Sequence, residues 1–153
     1  MTISVQTEDF DLGQEVTDLR GDDPGIGAVA SFVGLVRDMN QGQTDIGEMF
    51  LEHYPGMTEK ALADIEVQAR ARWDLRGVRV VHRVGRLAPK DQIVLVAVAA
   101  VHRGDAFQAC EFIMDYLKTQ APFWKREQTR DGARWVEAKA DDEAAAQRWA
   151  GAD

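Results

Sequence analysis

Cysteine is nearly missing from this chain: Cys110 is the only one in 153 residues. That excludes an internal disulfide and a cysteine-built zinc cage, and it suits a reducing compartment. Long apolar runs are missing too. The longest, Ile93 to Val101, is too short to span a bilayer, and the opening MTISVQTEDFDLGQE has no basic region followed by an apolar core. Both absences predict a soluble, cytoplasmic protein with no membrane partner. Positive charge is scarce: 18 Lys and Arg stand against 26 Asp and Glu, a formal net charge of -8. General affinity for nucleic acid or anionic membrane is therefore not expected, and any basic site has to be local. No repeat, low-complexity segment or linker rich in Pro, Gly or Ser interrupts the chain, which predicts one domain over residues 1–153. HExxH, Walker, GxGxxG and GxSxG motifs are absent, and neither His53 nor His82 has a carboxylate or His neighbour at ligand spacing. A metal, a bound nucleotide and a serine triad all lack support.

What is present reads as strands and helices intermixed. Ile3 to Gln6 is a candidate strand, and Asp11 to Leu19 a short helix capped by Asp11. GAVASFVGLVR, Gly27 to Arg37, has the β-branched and aromatic content of a strand, followed by a polar loop, DMNQGQTD. Ile46 to Tyr54 is expected to return as its partner. After Pro55-Gly56, Leu62, Ile65, Ala69 and Trp73 recur at helical spacing, with Thr58 as the expected cap. Val78 to Val84 places Val78, Val80, His82 and Val84 on one face of a strand. Gln92 to Val101 has no polar face, as a central strand covered on both sides requires. Asp105 is the expected cap of a helix whose buried stripe is Ala106, Cys110, Ile113 and Leu117. FWKREQT and RWVEA flank a turn containing Asp131-Gly132, a hairpin signal, and DDEAAAQRW starts a helix with acidic residues. Mixed elements with hairpins favour α+β over a doubly wound sheet.

The candidate chemistry centres on DYLKTQAPFWKRE, residues 115–127. Pro122 removes a backbone donor and disfavours helix at Ala121, so the chain leaves a helix near Thr119 and becomes extended around Phe123. Lys118 and Lys125 then sit on different elements. If the extended segment folds back, the two ammonium groups become neighbours, and each lowers the other's pKa. Lysines so tuned serve as general acid, general base or nucleophile toward a carbonyl. Lys125 and Arg126 are adjacent and point to opposite faces of a strand, so only one shares a side with Lys118. The plainer reading of Lys118 is a cation at a helix C-terminus, and that of Phe123 and Trp124 is core packing. His102, Arg103 and Gly104 follow the buried strand where α/β proteins gather ligand-binding groups, although the plainer reading is solvation of a strand end. Arg37 ends its strand ahead of the loop, and Cys110 lies on a buried stripe as a packed thiol.

The strings GAVASFVGLVRD, LEHYPGMTEKAL, VHRVG, VAVAAVHRGDAF and FIMDYLKTQAPFWKRE resemble the large, catalytic subunit family of molybdopterin synthase, in order from about Gly27 to Glu137. The resemblance implies an α/β hammerhead fold with an additional antiparallel β subdomain. It also implies a homodimer carrying one small ubiquitin-like subunit at each end, a heterotetramer. The small subunit's C-terminal Gly-Gly thiocarboxylate would deliver sulfur to cyclic pyranopterin monophosphate, and two rounds would make the dithiolene, with no cofactor and no metal. Lys118 and Lys125 would be the catalytic lysines. Leu35, Val36, Arg37, His102, Arg103, Lys118, Lys125, Arg126 and Glu127 would bind substrate, some from the second protomer. Leu35 departs from the family, whose members commonly carry a basic residue there. Two competing readings stay open. One keeps the fold as a non-catalytic scaffold gripping the tail of a ubiquitin-like partner; the other is a nucleic-acid module using Phe123 and Trp124.

Overall fold

The computed structural model describes residues 2–37, 48–129, 132–136 and 140–150, with side chains left out at 126–129, 132–136 and 140–142. The elements run β1 (Ile3–Gln6), α1 (Leu12–Arg20), β2 (Ala28–Leu35), β3 (Glu48–His53), α2 (Met57–Arg72), β4 (Leu75–Arg83), β5 (Gly85–Leu87), β6 (Gln92–Ala100), α3 (Arg103–Gln120), β7 (Phe123–Thr129), β8 (Gly132–Val136) and α4 (Ala140–Ala150). They make two four-stranded sheets, ordered β1-β4-β6-β2 and β5-β3-β7-β8. The first is mixed, because β1 runs parallel to β4, and the second is antiparallel throughout. The expected α+β class with an extra antiparallel subdomain is what the chain forms.

β6 is central, as its lack of a polar face requires. It lies between β4 and β2, and every residue from Val94 to Ala100 is buried. One face of the sheet packs against Leu62, Ile65 and Ala69 of α2 and Ala106, Cys110, Ile113 and Leu117 of α3. The other face is covered by Phe10 and Leu19, which meet Val81, Leu95 and Ala97. Each buried Val or Leu of β6 contributes about 1.5–3 kcal/mol, so the strand anchors the layers above and below it. On α3, Phe112 stands edge-on to Trp73, Tyr116 and Trp149, which ties α2, α3 and α4 together. The chain crosses between sheets at Gly85, where φ of +90° suits glycine and strains other residues.

Three expectations need correction. β3 is not the partner of β2: it pairs with β5 and β7 in the second sheet, while β2 pairs with β6. Met49 and Leu51 of β3 are buried, and Met49 packs with Val36 and Leu87 in a separate small core, so the apolar face of β3 has its own destination. Thr58 does not cap α2. The N-cap is Gly56, whose N–H is accepted by the Glu59 carboxylate at 3.0 Å. Nor does Asp105 cap α3, which begins after His102 with Asp105 inside the first turn. Asp11 does cap α1, accepting from the Gln14 N–H at 2.9 Å. The polar loop 38–47, the turn residue Asp131 and the side chains of Asp141 and Asp142 lie outside the described residues.

Candidate active site

α3 and β7 meet at a corner. The helix ends at Gln120, and Ala121 is extended (φ -82°, ψ 132°), as a residue before proline must be. The Phe123 N–H donates back to the Ala121 carbonyl at 2.9 Å, so the chain reverses across Pro122 in three residues. β7 then runs along β3, with Phe123 opposite His53 and Lys125 opposite Leu51. The proline that separates the two lysines in sequence thereby turns one element back on the other.

The apex of the corner is a histidine stack. His82, from the end of β4, lies against the Phe123 ring with centroids 3.7 Å apart and 17° between planes. Its Nδ1 is 2.9 Å from the Arg83 carbonyl. A carbonyl oxygen only accepts, so Nδ1 carries the proton, and Nε2 of the neutral ring is left as the acceptor. Burial pushes its pKa down to about 3, with the charges of Lys118, Lys125 and His53 adding to the effect. Both lysines are therefore within electrostatic reach of one buried imidazole, Lys118 from α3 and Lys125 from β7. Sequence reasoning passed over His82 and His53 because neither has a ligand-spaced neighbour. The available signal was His82 itself, a polar residue in the apolar stripe Val78, Val80, Val84.

The same end of the first sheet receives the strand carrying Arg37. Leu35 is opposite Gln92 and His82 is opposite Val94, so both lie at the N-terminal end of β6. Leu35 and Arg37 are exposed, whereas Val36 is buried, with its N–H donated to the Asp91 carbonyl and its carbonyl accepting from Lys90. Of these three, Leu35 and Arg37 are the side chains that face solvent. A groove of about 460 Å³ runs between β2 and α3 and reaches Lys118, with the exposed rings of Phe32 and Phe107 and Met114 along its walls. The side chains of Arg126 and Glu127 lie outside the described residues.

His102 and Arg103 are placed elsewhere. Both are exposed at the N-terminal end of α3, and the helix rises about 22 Å from Arg103 to Lys118. No arginine or histidine side chain bridges that span, so within one chain the cations form two groups. Cys110 is buried, its Sγ 3.7 Å from the Val96 carbonyl, and burial pushes the thiol up to about 11, which leaves it a packed thiol and not a nucleophile. Among the described residues no group of three or more His, Cys, Asp or Glu could hold a metal ion, and no helix is long and apolar enough to cross a membrane.

This fold and these residues match known proteins closely. Residues 5–120 match the family model described as MoaE protein. The chain is 66% identical over 148 residues to the molybdopterin synthase catalytic subunit of Ralstonia nicotianae, covering 97% of this chain and 84% of that one. It is 57% identical over 149 residues to the subunit of the same description from Pseudomonas aeruginosa, covering 97% and 99%. Its structure superposes on the molybdopterin biosynthesis MoaE protein from Burkholderia ambifaria with a TM-score of 0.84 at 60% identity, over 97% of each chain. The molybdopterin synthase structure from Staphylococcus aureus gives 0.81 at 30% identity, over 90% of this chain and 98% of that one. These alignments extend past the strings between Gly27 and Glu137 to nearly the whole length, and with the lysine-bracketed corner they make the chain a member of the MoaE family, the catalytic subunit of molybdopterin synthase.

Proposed function

We infer that this protein transfers sulfur from the C-terminal thiocarboxylate of a small ubiquitin-like carrier to cyclic pyranopterin monophosphate, forming the dithiolene of molybdopterin. The observation that carries the reading is the convergence of Lys118 and Lys125 on the His82–Phe123 stack from two separate elements. Both reactants are anions. In a protein of net charge -8, a local cluster of cations concentrates them and stabilises negative charge as the cyclic phosphate opens. The groove between β2 and α3 leads to Lys118 and is open enough to take an extended tail. Lys118 then lies nearest the tail's terminal carbonyl, as proton donor or transient acyl acceptor, and Lys125 assists at the pterin. Arg37 stands at the same end of the sheet to hold phosphate. His102 and Arg103 are too far along α3 to join from the same chain, so they join from the second protomer of a homodimer. The buried Cys110 fits this chemistry, because the sulfur arrives on the carrier.

Mixing the protein with thiocarboxylated carrier and the cyclic pterin tests the reading. Dithiolene product and consumption of thiocarboxylate, with no other protein added, are expected. Tight carrier binding without product would instead favour the scaffold reading.

A further inference from the structure

The corner between the lysines is held by more than its own backbone. Thr58, in the first turn of α2, is fully buried although its side chain is polar. Its hydroxyl donates to the Pro122 carbonyl at 2.9 Å and accepts the Tyr54 N–H at 2.9 Å. The bond to Pro122 spans 64 residues of sequence and joins α2 to the turn. One residue on, the Phe123 ring is stacked on His82 of β4, while the Phe123 backbone is paired with His53 of β3. Elements from both sheets and from α2 thus grip two consecutive residues, Pro122 and Phe123, midway between Lys118 and Lys125.

Such anchoring is not needed to end the helix, since Pro122 does that alone. Nor does it form a cap, since Gly56 and Glu59 supply the start of α2. What remains undetermined without it is the angle between the last turn of α3 and the first residues of β7. Each of those elements is rigid, so that angle sets where the two amines stand relative to each other. A misplacement of about 1 Å in a reacting group costs about a hundredfold in rate.

We propose that Thr58 and His82 are positioning residues for the reaction: the Thr58 hydroxyl on the Pro122 carbonyl and the His82 ring on Phe123 hold the α3–β7 corner at the angle that aligns Lys118 with Lys125. The inference rests on the lysine reading above. It assigns these two residues no contact with substrate. The stack needs a planar ring and its burial needs an uncharged one, and a buried imidazole whose Nδ1–H is given to a backbone carbonyl meets both needs. The two ammonium groups nearby oppose a proton on the ring and so help to keep it neutral.

The test uses the full chain with thiocarboxylated carrier at saturation, reading kcat and the KM for the cyclic pterin, with melting curves to confirm folding. Thr58→Val keeps the shape and removes both hydrogen bonds. It is expected to lower kcat at least about tenfold with KM changed less than about threefold, and Thr58→Ser, which restores the hydroxyl, is expected to recover the rate. His82→Ala is expected to behave like Thr58→Val, whereas His82→Phe, which keeps a stacking ring, stays near the wild-type rate. Folded Thr58→Val and His82→Ala proteins turning over at the wild-type rate would overturn the proposal, as would a rise in KM with kcat unchanged. If Thr58→Val does not fold, the two His82 variants decide alone. Lys118→Ala and Lys125→Ala run alongside separate the two inferences. If those lysine variants are inactive while the anchor variants are normal, only the positioning role fails; active lysine variants remove the reading beneath it.

Discussion

Alanine at Lys118 or at Lys125 is expected to lower dithiolene formation by about 10²- to 10⁴-fold, the range lost when a positioned proton-transfer group is removed. The expectation follows from placement. Lys118 lines the groove beside α3, and Lys125 comes from the strand that follows the Pro122 turn, with His82 within reach of both charges. His102 and Arg103 are at the far end of α3 and do not take over either role from the same chain. Arginine at each position separates chemistry from charge. A guanidinium keeps the positive potential and so keeps carrier and pterin binding, but it does not give up a proton near neutral pH and forms no acyl-lysine. Rates that stay low in both Lys→Arg variants, with carrier affinity retained, are the expected result. Recovery by arginine would reduce the lysines to charge partners and favour the scaffold reading.

Acid sensitivity is the second large effect, and it belongs to His82. An imidazole in the unfolded chain titrates near 6.5, while burial holds this one neutral down to about 3. Between those values the unfolded state binds a proton that the folded state refuses, so stability rises with pH. The contribution is complete above about pH 6.5 and is lost as pH falls, at up to about 1.4 kcal/mol per unit. Every charged group acting on the ring works in the same direction: Lys118 from α3, Lys125 from β7 and His53 from β3 all oppose a proton, and only the Arg83 carbonyl favours one. Between pH 7 and pH 5, a loss of about 2 kcal/mol is expected from His82 in urea unfolding, before the carboxylates begin to titrate. His82→Phe keeps the stack and removes the titration, so its stability should be flatter over that interval by the same amount. Parallel curves for the two proteins would show that His82 is not held neutral.

How much of this was legible from the residues varied with the range of the interactions. Most local signals held: Asp11 caps α1, Pro122 ends α3, the apolar run after Gln92 is the buried central strand, and β7 and β8 pair as the hairpin their flanks suggest, although Thr58 and Asp105 do not cap their helices. Long-range choices did not. β2 and β3 follow each other in sequence, and adjacency argues for pairing. Yet β2 pairs with β6, while β3 buries Met49 and Leu51 and packs Met49 against Val36 and Leu87. That Lys118 and Lys125 sit on different elements was legible because Pro122 breaks the helix locally between them. The His82–Phe123 stack and the Thr58–Pro122 bond were not, since each joins segments whose meeting depends on how the two sheets are set against each other. Thr58 shows the difference well: its type and position suit a helix cap, and its actual partner lies 64 residues away. The resemblance groups His102 and Arg103 with Lys118 as substrate-binding residues, and the length of α3 separates them within one chain.

A double-mutant cycle on Lys118 and Lys125 tests the central claim, that the two amines act as one unit on the carrier's tail and the pterin. Product formation is measured for Lys118→Ala, Lys125→Ala and the double variant under the same saturating carrier. Groups that work as a unit are strongly non-additive, so the double variant is expected to be no more than about threefold slower than the slower single variant. Losses that multiply, or a single variant that works at the normal rate, would contradict it.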